Sequence, residues 1–516
     1  MREDLRRRLV AASVLTGLGL LALNLMLFSV RVDLTAERAF SVMPQTRAVW
    51  ERLDDPVAVR YYLSGTLRDR TVETRHIEEY LEEYAGRAGG RIEYRVLDPD
   101  ESEARRREAE ELGVVPQRVQ LQRGPEQQAV TVYSGIVLEY RDRREVIPLA
   151  FDANEIEFEL TAAIAALERG ERPELGVVIG DPGISIRDSL QLAANQLSRR
   201  FRLRVVDPGE TIPDSLSGIL VIGNSELGSE AVDRLQAFIA AGGGAVIAAD
   251  GLRVEPEIGA RVQPVEQLYM TELLGDYGVN LHPALVLDPR NRPIPVEREV
   301  GDARVEDEEP YPFWPALEDL AGEHPVNHAV PGISLLWPSR LELDVVEGMT
   351  PVGFKATVLA RSSPESWYLE DPNEVSPGAL REPAPQERFS GGYPLAVALE
   401  RPENREGGRV VIVSGSRSFS DMLQLAAPRG TLWFLDNAAH WVTGNEDLAV
   451  LRREAPTERR LDAVTQPAAR AFHGWLAAVL NAAVIPLAII VAGAWYRRRR
   501  VRRAARVWSG AQAEDR

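Results

Sequence analysis

In the first third of the chain, short β-rich segments alternate with segments whose apolar residues have helical spacing. VAVRYYL (57–63) is rich in β-branched and aromatic residues and is typical of a strand. Residues 70–88 place apolar side chains three and four positions apart, which predicts an amphipathic helix. A strand at 91–100, a polar helix at 101–113 and further strands complete the order β-α-β-α-β-β. This order predicts a thioredoxin-like α/β domain over residues 31–152.

A different pattern follows, in which continuous apolar strands alternate with helices. Apolar runs such as 174–180 and 218–225 are separated by helical segments. Strands that are apolar throughout are typical of parallel sheets whose two faces are both covered. The pattern therefore predicts a doubly wound, parallel-sheet α/β domain over residues 153–456, with insertions at about 252–330 and 362–392.

Two stretches of these insertions are rich in charge and proline. EREVGDARVEDEEPYPFWP (297–315) is acidic, and we expect it to form an exposed loop. Residues 370–392 have the composition of an exposed loop or a disordered insert.

An uncharged apolar run lies near each end of the chain. LVAASVLTGLGLLALNLMLFSV (9–30) and WLAAVLNAAVIPLAIIVAGAWY (475–496) are each long enough to cross a hydrocarbon core of ~30 Å. The alternative for the first run is a signal peptide, but the run is longer than a typical h-region and no typical cleavage site follows it. Trp475, Trp495 and Tyr496 stand at the ends of the second run, as aromatic residues do at membrane interfaces. Both runs are therefore predicted to be transmembrane helices.

Arginines flank both runs on the sides that face the chain ends. They are Arg6, Arg7, Arg8, Arg497, Arg498, Arg499 and Arg500. The positive-inside rule then places both termini in the cytoplasm and the body of the protein outside a bacterial inner membrane, in the periplasm or extracytoplasmic space. The remaining segments are a cytoplasmic N-terminus (1–8), a linker (457–474) and a basic cytoplasmic tail (497–516).

Charge and cysteine content restrict the possible functions. The net charge is −18, and since both ends are basic, the region between them is more acidic still. This does not fit the basic surfaces that bind nucleic acid, so no nucleic-acid partner is expected. The chain has no cysteine, which excludes disulfides, thiolate metal sites and a cysteine nucleophile. No ATP-binding motif, cofactor, metal site or catalytic residue is predicted, so a partner must supply any energy.

The loops that follow the predicted parallel strands are rich in polar residues. Ligands of doubly wound sheets bind at the carboxyl ends of the strands, so these loops are candidates for binding a small ligand, such as an anion. The candidate residues are Asp181, Asn224, Ser225, Asp250, Ser414 and Ser416. The alternative is that these residues only form turns. The segment GDPGIS favours this alternative because it matches neither a dinucleotide-binding loop nor a P-loop.

Several segments, in order along nearly the whole chain, resemble one family. They are DLTAERAFSVMPQT (33–46), LDDPVAVRYYLSG (53–65), EIEFELTAAIAAL (155–167), GRVVIVSGSRSFSD (408–421) and LDNAAHWVTGNEDL (435–448). With the two flanking apolar runs, they resemble auxiliary components of ABC-type transport systems, which are related to the gliding-motility auxiliary protein and carry an ABC-transporter-auxiliary domain.

The resemblance implies a non-enzymatic, membrane-anchored subunit that works with a separate ATPase and permease. The central domain of the family is similar to the sheets of class I glutamine amidotransferases, which use a cysteine nucleophile at a strand-to-helix turn. Because this chain has no cysteine, that activity is not implied. Two other functions remain open. One is an envelope ligand sensor or carbohydrate-handling enzyme that uses the strand-end loops, and the other is a structural envelope scaffold.

Overall fold

The computed structural model describes residues 42–452, except for 124–125, 257–259, 301–302, 371, 373–374, 377–390 and 403–407. The described chain has an N-terminal domain up to residue 155 and a C-terminal domain from residue 171. Helix α5 lies between them.

The N-terminal domain is a four-stranded sheet with helices. Its strands are β1 Val57–Leu63, β2 Ile92–Leu97, β3 Gln117–Arg123, β4 Glu126–Val132, β5 Ser134–Tyr140 and β6 Arg143–Ile147. Its helices are α1 Pro44–Glu51, α2 Gly65–Arg68, α3 Val72–Arg87 and α4 Glu103–Glu111. The sheet order is β2-β1-β5-β6, with β1 parallel to β2 and antiparallel to β5, while β3 and β4 form a separate hairpin. The strand predicted at 57–63 and the helix predicted at 70–88 are thus confirmed.

The two faces of this sheet are covered differently. Val59 and Tyr61 of β1 point into a core that also contains Tyr84 of α3, whose ring meets Trp50 edge-on at 4.7 Å between centroids. On the opposite face, Tyr62 packs with residues of α4 in a smaller cluster. The strand residues that precede Tyr62 on that face include Arg60, which is partly exposed. Half of the outer face is therefore polar.

Helix α5 (Ile156–Arg169) is buried on two sides and joins the domains. Leu160 and Ile164 belong to the core of the N-terminal domain. Phe158 packs instead with Leu448 and Leu451, which lie at the end of the C-terminal domain. A helix that is apolar around most of its circumference can pack against two hydrophobic cores at once.

Both ends of the described chain are held on α5. The backbone N–H of Met43 and the hydroxyl of Thr46 donate to Oε1 of Glu157 at 2.7 and 2.9 Å. At the other end, the guanidinium of Arg452 lies 4.2 Å from the centroid of the Phe158 ring. Met43 and Arg452, near the two ends of the described chain, therefore contact adjacent positions of one helix.

The C-terminal domain is larger and contains the remaining strands and helices. Its strands are β7 Glu174–Ile179, β8 Arg202–Val205, β9 Gly218–Ile222, β10 Gly244–Ala249, β11 Leu252–Glu255, β12 Arg261–Pro264, β13 Val279–Leu287, β14 Ile294–Val300, β15 Ala303–Glu309, β16 Ala316–Leu317, β17 Ile333–Ser334, β18 Ser339–Leu343, β19 Lys355–Arg361, β20 Trp367–Leu369, β21 Pro394–Glu400 and β22 Val410–Ser414. Its helices are α6 Gln191–Ser198, α7 Ser229–Ala240, α8 Tyr269–Asp276, α9 Pro428–Val442 and α10 Glu446–Ala449.

Seven of these strands form the central sheet in the order β19-β21-β22-β10-β9-β7-β8. The five strands from β22 to β8 are parallel, and β21 is antiparallel to them. The edge strand β19 is antiparallel to β21 and therefore runs in the same direction as the five. Helices α6 and α9 cover one face, and α7 and α8 cover the other. Because both faces are covered, a central strand such as β9 is buried at every position.

The expectation of an exposed loop at 297–315 is wrong. Most of this stretch lies in the β14–β15 hairpin, whose pairs run from Ile294 with Glu309 to Val300 with Ala303. The aromatic residues that follow, Tyr311 and Trp314, are buried in a separate apolar cluster. The acidic composition concealed an alternating strand pattern. The prolines of the stretch 297–315 all follow the last paired residue of the hairpin, Glu309.

The predicted fold class, an α/β protein flanked by two transmembrane helices, is also corrected. Within the described part of the chain, no helix is both long and apolar enough to cross a membrane. The longest, α3, has 16 residues and extends for ~24 Å, against the ~30 Å of a hydrocarbon core. The fold that the structure describes is mixed α/β.

The predicted inner-membrane localisation with two cytoplasmic termini is corrected for the same reason, since it depended on those helices. The segments 9–30 and 475–496 lie outside the described residues. The predicted anchor and topology residues lie there as well: Arg6, Arg7, Arg8, Trp475, Trp495, Tyr496, Arg497, Arg498, Arg499 and Arg500.

Candidate functional site

The loops after four neighbouring parallel strands meet at one edge of the central sheet. Asp181 follows β7, Asn224 follows β9, Asp250 follows β10, and Ser416 follows β22. These strands are adjacent in the sheet, so their carboxyl ends lie side by side. The structure thereby brings together residues that are up to 235 positions apart in the sequence. We call Asp181, Asn224, Asp250 and Ser416 the strand-end network.

The carboxylate of Asp181 connects three of these loops. Its Oδ1 accepts the backbone N–H groups of Asn224 and Ser225 at 3.0 and 2.8 Å. Its Oδ2 accepts the hydroxyl of Ser416 at 3.2 Å. Since Asp181 is only 4% exposed, these donors replace the water that a surface carboxylate would bind.

Asn224 and Asp250 exchange two hydrogen bonds. The side-chain amide of Asn224 donates to the backbone carbonyl of Asp250 at 3.1 Å. The backbone N–H of Asp250 donates to Oδ1 of Asn224 at 2.8 Å. This pairing fixes the ends of β9 and β10 to each other. The side-chain amide of Asn224 makes the two hydrogen bonds to Asp250 that a backbone peptide group would make in a sheet.

Ser416 connects the two aspartates. Its hydroxyl donates to Asp181, and its backbone N–H donates to Oδ1 of Asp250 at 3.0 Å. The preceding Gly415 has φ +94°, a conformation that favours glycine, and a Cβ there would lie 2.7 Å from the carbonyl oxygen of Leu336. The glycine therefore allows the turn that brings Ser416 between the carboxylates.

The environment of Asp250 favours its protonated form. Burial raises the pKa of Asp250 to about 7, and the neighbouring Asp181 carboxylate acts in the same direction. The hydrogen bonds from Ser416 and the charge of Arg417 oppose this rise. Asp250 can therefore hold a proton near neutral pH, although it is engaged with the protein.

Ser225 and Ser414 occupy less central places. Ser225 donates its backbone N–H to Asp181, while its buried Oγ has no hydrogen-bond partner among the described residues. Ser414 is fully buried, and its hydroxyl donates to the carbonyl of Ser339. Of the six predicted residues, five thus belong to one network of loops, and Ser414 fixes the neighbouring strand β18.

Sequence reasoning missed Ser339 and Ser418. The hydroxyl of Ser339 accepts the backbone N–H of Gly251 at 2.9 Å, directly after Asp250. Ser418 accepts the backbone N–H of Leu336 at 2.9 Å. The signal for Ser418 was present in the serine-rich segment VSGSRSFS, but Ser339 begins β18, and no local pattern indicates the position of this strand over the sheet.

The hydrogen bonds of the strand-end network are made between loops of the protein itself. The hydroxyl of Ser416 is 1% exposed and donates to the Asp181 carboxylate, whose other oxygen accepts two backbone N–H groups, so neither side chain is open to a substrate in this arrangement. No group of three or more potential metal-ligating side chains occurs within the described ranges. The arrangement binds the four loops to one another.

A second polar cluster is buried near α5. The guanidinium of Arg452 bonds the carboxylate of Asp436 and the side chain of Asn437, and all three are fully buried. Although burial alone raises the pKa of Asp436, the charge of Arg452 holds it below its ordinary value. His440, one turn along α9, lies against the ring of Phe158, and burial lowers the pKa of this histidine to about 4. No sequence pattern indicates this cluster.

Comparison with known families gives two matches. A family model described as an ABC-type uncharacterized transport system matches residues 172–440, which is more than half of the chain. A model described as a domain of unknown function matches residues 36–139.

Comparison with individual proteins gives weaker similarities. An uncharacterized protein of Borreliella burgdorferi is 21% identical over 431 residues, covering 80% of this chain and 82% of the relative. A solved thua-like protein from Parabacteroides merdae has 12% identity and a TM-score of 0.26, covering 53% of this chain and 91% of its own. One from Bacteroides uniformis has 15% identity and a TM-score of 0.29, covering 54% and 96%. At these TM-scores, the solved structures do not inform the function of this chain.

Proposed function

This chain belongs to the ABC-type uncharacterized transport system family, and we propose that it is a non-enzymatic auxiliary component that binds other subunits of such a system. Separate ATPase and permease chains then hydrolyse ATP and move the substrate. The contribution of this chain is to bind those subunits through its two α/β domains.

The observation that supports this proposal is the closed strand-end network. In a doubly wound sheet, the carboxyl ends of the strands are the usual place for catalysis or ligand binding. Here Asp181, Asn224 and Ser416 direct their polar groups at neighbouring loops instead. A sheet edge that is tied together in this way favours a rigid binding scaffold over a reaction centre.

Two features of the chain agree with a non-enzymatic role. The class I glutamine amidotransferases, to whose sheets the central domain of the family is similar, need a cysteine nucleophile, and this chain has none. The serine at the corresponding kind of turn, Ser416, is buried, and its hydroxyl donates to the buried Asp181 carboxylate within the protein.

Co-purification tests the proposal. The tagged full-length chain is expressed in its native host, cross-linked in intact cells and isolated, and the bound proteins are identified by mass spectrometry. We expect an ATPase and a permease to be recovered in amounts comparable to the tagged chain. Recovery of neither, under conditions that preserve known transporter complexes, would contradict the proposal.

A matched variant separates subunit binding from strand-end chemistry. Ser416→Ala removes the hydroxyl that joins the loops but leaves the outer surface unchanged. If the chain is a binding subunit, the folded variant still recovers both partners and still supports transport. Loss of transport with full partner recovery would instead favour a chemical role for the network.

A second candidate function is small-ligand binding at the same loops. The raised pKa of Asp250 beside Asp181 favours it, because perturbed carboxyl groups are frequent in functional sites. This function requires the four loops to separate. Its test is a screen of small polar ligands for an increase in the melting temperature of the wild type that is absent in Asp181→Asn.

A further inference from the structure

The polar half of the outer face of the N-terminal sheet contains a cavity of about 390 Å³. Strands β1 and β2 form its floor, and α4 forms one wall. The charged side chains that line it are Arg60, Glu93, Arg95, Arg105 and Glu108. It lies on the N-terminal domain, and none of these residues takes part in the strand-end network.

Arg60 and Arg95 lie side by side in this cavity. They are paired in the parallel ladder between β1 and β2, so both side chains leave the same face of the sheet. Like charges opposite each other on neighbouring strands are destabilising unless counter-charges compensate them. The partners of each arginine therefore decide what this surface can bind.

The arginines differ in their partners. Arg60 bonds Glu139 and lies 3.8 Å from Glu108, and Arg105 lies 3.6 Å from the same Glu108. Within the described residues, Arg95 has no carboxylate at ion-pair distance, and its side chain is exposed. One guanidinium is thus available to a ligand from outside the chain.

The glutamates of this face that pair with Arg60 already have further partners within the protein. Glu139 also bonds Arg144 at 3.1 Å, and Glu108 also accepts the hydroxyl of Tyr62 at 2.9 Å. Glu93 lies two positions before Arg95 on the same face of β2 and lowers the positive potential at that end. The face nevertheless remains locally positive in a chain whose net charge is −18.

We propose that this cavity is a binding site for an oxyanion, a carboxylate or phosphate group, held between Arg95 and Arg105. Guanidinium groups bind such planar or tetrahedral oxyanions through paired charge-assisted hydrogen bonds. The end of β2 that leads to α4 is favoured because Leu97 packs there with α4 and places Arg105 beside the strand, away from Glu93. This site goes beyond the proposed function and does not depend on it.

The test is isothermal titration of the purified full-length chain at low ionic strength, with citrate and with inorganic phosphate as separate probes. We expect saturable binding of at least one probe and a loss of affinity of about tenfold or more in Arg95→Ala, because the variant loses a charge-assisted hydrogen bond to the ligand. Arg95→Lys should restore part of it. Glu93→Gln should strengthen binding severalfold, because it removes a repelling charge.

The control is Arg91→Ala, which removes the same charge from an exposed position just before β2 and outside the cavity. It should leave the affinity within about twofold, because exposed charges at a distance are screened. Binding of citrate alone assigns carboxylate ligands such as an acidic peptide, and binding of phosphate alone assigns phosphate esters. No saturable binding of either probe, or equal losses in Arg91→Ala and Arg95→Ala, would overturn the proposal.

Discussion

The hydroxyl of Ser416 donates a hydrogen bond to Asp181 at 3.2 Å, although 235 positions separate the two residues in the sequence. This bond joins the loop after β22 to the loop after β7 across the two strands that lie between them. Because Ser416 also donates its backbone N–H to Asp250, one residue holds both carboxylates. Ser416, which comes from the C-terminal part of the chain, thereby holds together the loops at the carboxyl edge of the sheet.

Ser416→Ala should destabilise the protein. It leaves one oxygen of the buried Asp181 carboxylate without its donor, and hydrogen bonds to charged groups contribute about 1.5–3 kcal/mol. We expect a loss of that size in the free energy of unfolding, measured by urea denaturation. Ser198→Ala, on the exposed side of α6, is the control and should change stability by about 0.5 kcal/mol or less. Equal effects of the two variants would show that the bond contributes little.

Asp250 should make stability depend on pH. Its folded-state pKa is raised to about 7, whereas the unfolded value is about 3.9. Between these values the folded protein holds a proton that the unfolded chain has released. The stabilisation is therefore fully present below about pH 4 and is lost as the pH rises towards 7.

Asp250→Asn isolates this contribution, since its Oδ1 can still accept the N–H of Ser416. We expect the stability of the variant relative to the wild type to increase as the pH rises from about 4 to 7, by at most about 1.4 kcal/mol per pH unit. Urea denaturation at several pH values measures the difference. A constant difference across this range would show that Asp250 is ionised throughout in the folded protein.

The sequence was sufficient to predict that polar residues gather at one sheet edge. Apolar runs such as 174–180 and 218–225 define parallel strands, and the residues that follow such strands, including Asp181 and Asn224, must lie at the same edge. The partners of these residues could not be predicted. Whether Asp181 faces a ligand or Ser416 depends on β22 lying beside β10, which no local pattern encodes.

The errors have physical causes as well. In the β14–β15 hairpin, acidic residues occupy strand positions, so composition indicated a loop where backbone pairing makes a ribbon. No sequence pattern indicated that Arg452 and Asp436 form a buried pair, because a charged residue in a helix or a linker is usually exposed. Burial of an ion pair is decided by the tertiary fold, here by Phe158 of α5 and the end of the C-terminal domain.

Removing Asp436 should be strongly destabilising. Asp436→Ala leaves the fully buried guanidinium of Arg452 without its counter-charge, and the loss of one partner of a buried pair typically removes about 3–5 kcal/mol. The double variant Asp436→Leu with Arg452→Met should be less destabilised, because no charge remains buried. Thermal unfolding of both variants measures the difference.

An exposed ion pair provides the control for Asp436→Ala. Arg141 bonds Asp55 at 2.7 Å on the surface of the N-terminal domain. Arg141→Ala should lower stability far less than Asp436→Ala does, because solvent screens such pairs. A loss in Asp436→Ala no larger than in Arg141→Ala would mean that Arg452 finds water or another acceptor when Asp436 is absent.

Two glycines with similar backbone conformations allow steric contact to be separated from backbone strain. Gly223 has φ +80° and Gly183 has φ +75°, so an alanine is strained by a similar amount, about 1–2 kcal/mol, at either position. A Cβ at Gly223 would lie 2.2 Å from Cγ of Asp181, whereas at Gly183 nothing lies within 4 Å. Gly223→Ala must therefore also displace the Asp181 carboxylate from its donors.

We expect Gly223→Ala to lose at least about 2 kcal/mol more than Gly183→Ala, since overpacking typically adds about 1–3 kcal/mol and the buried carboxylate loses hydrogen bonds as well. Urea denaturation compares the two variants. In Gly223→Ala, hydrogen exchange should also be faster at the backbone N–H groups of Asn224 and Ser225, because these groups donate hydrogen bonds to Asp181 in the native network. Equal stabilities with unchanged exchange would mean that the loops after β7 and β9 move apart without penalty, and the strand-end network would then not hold this edge of the sheet closed.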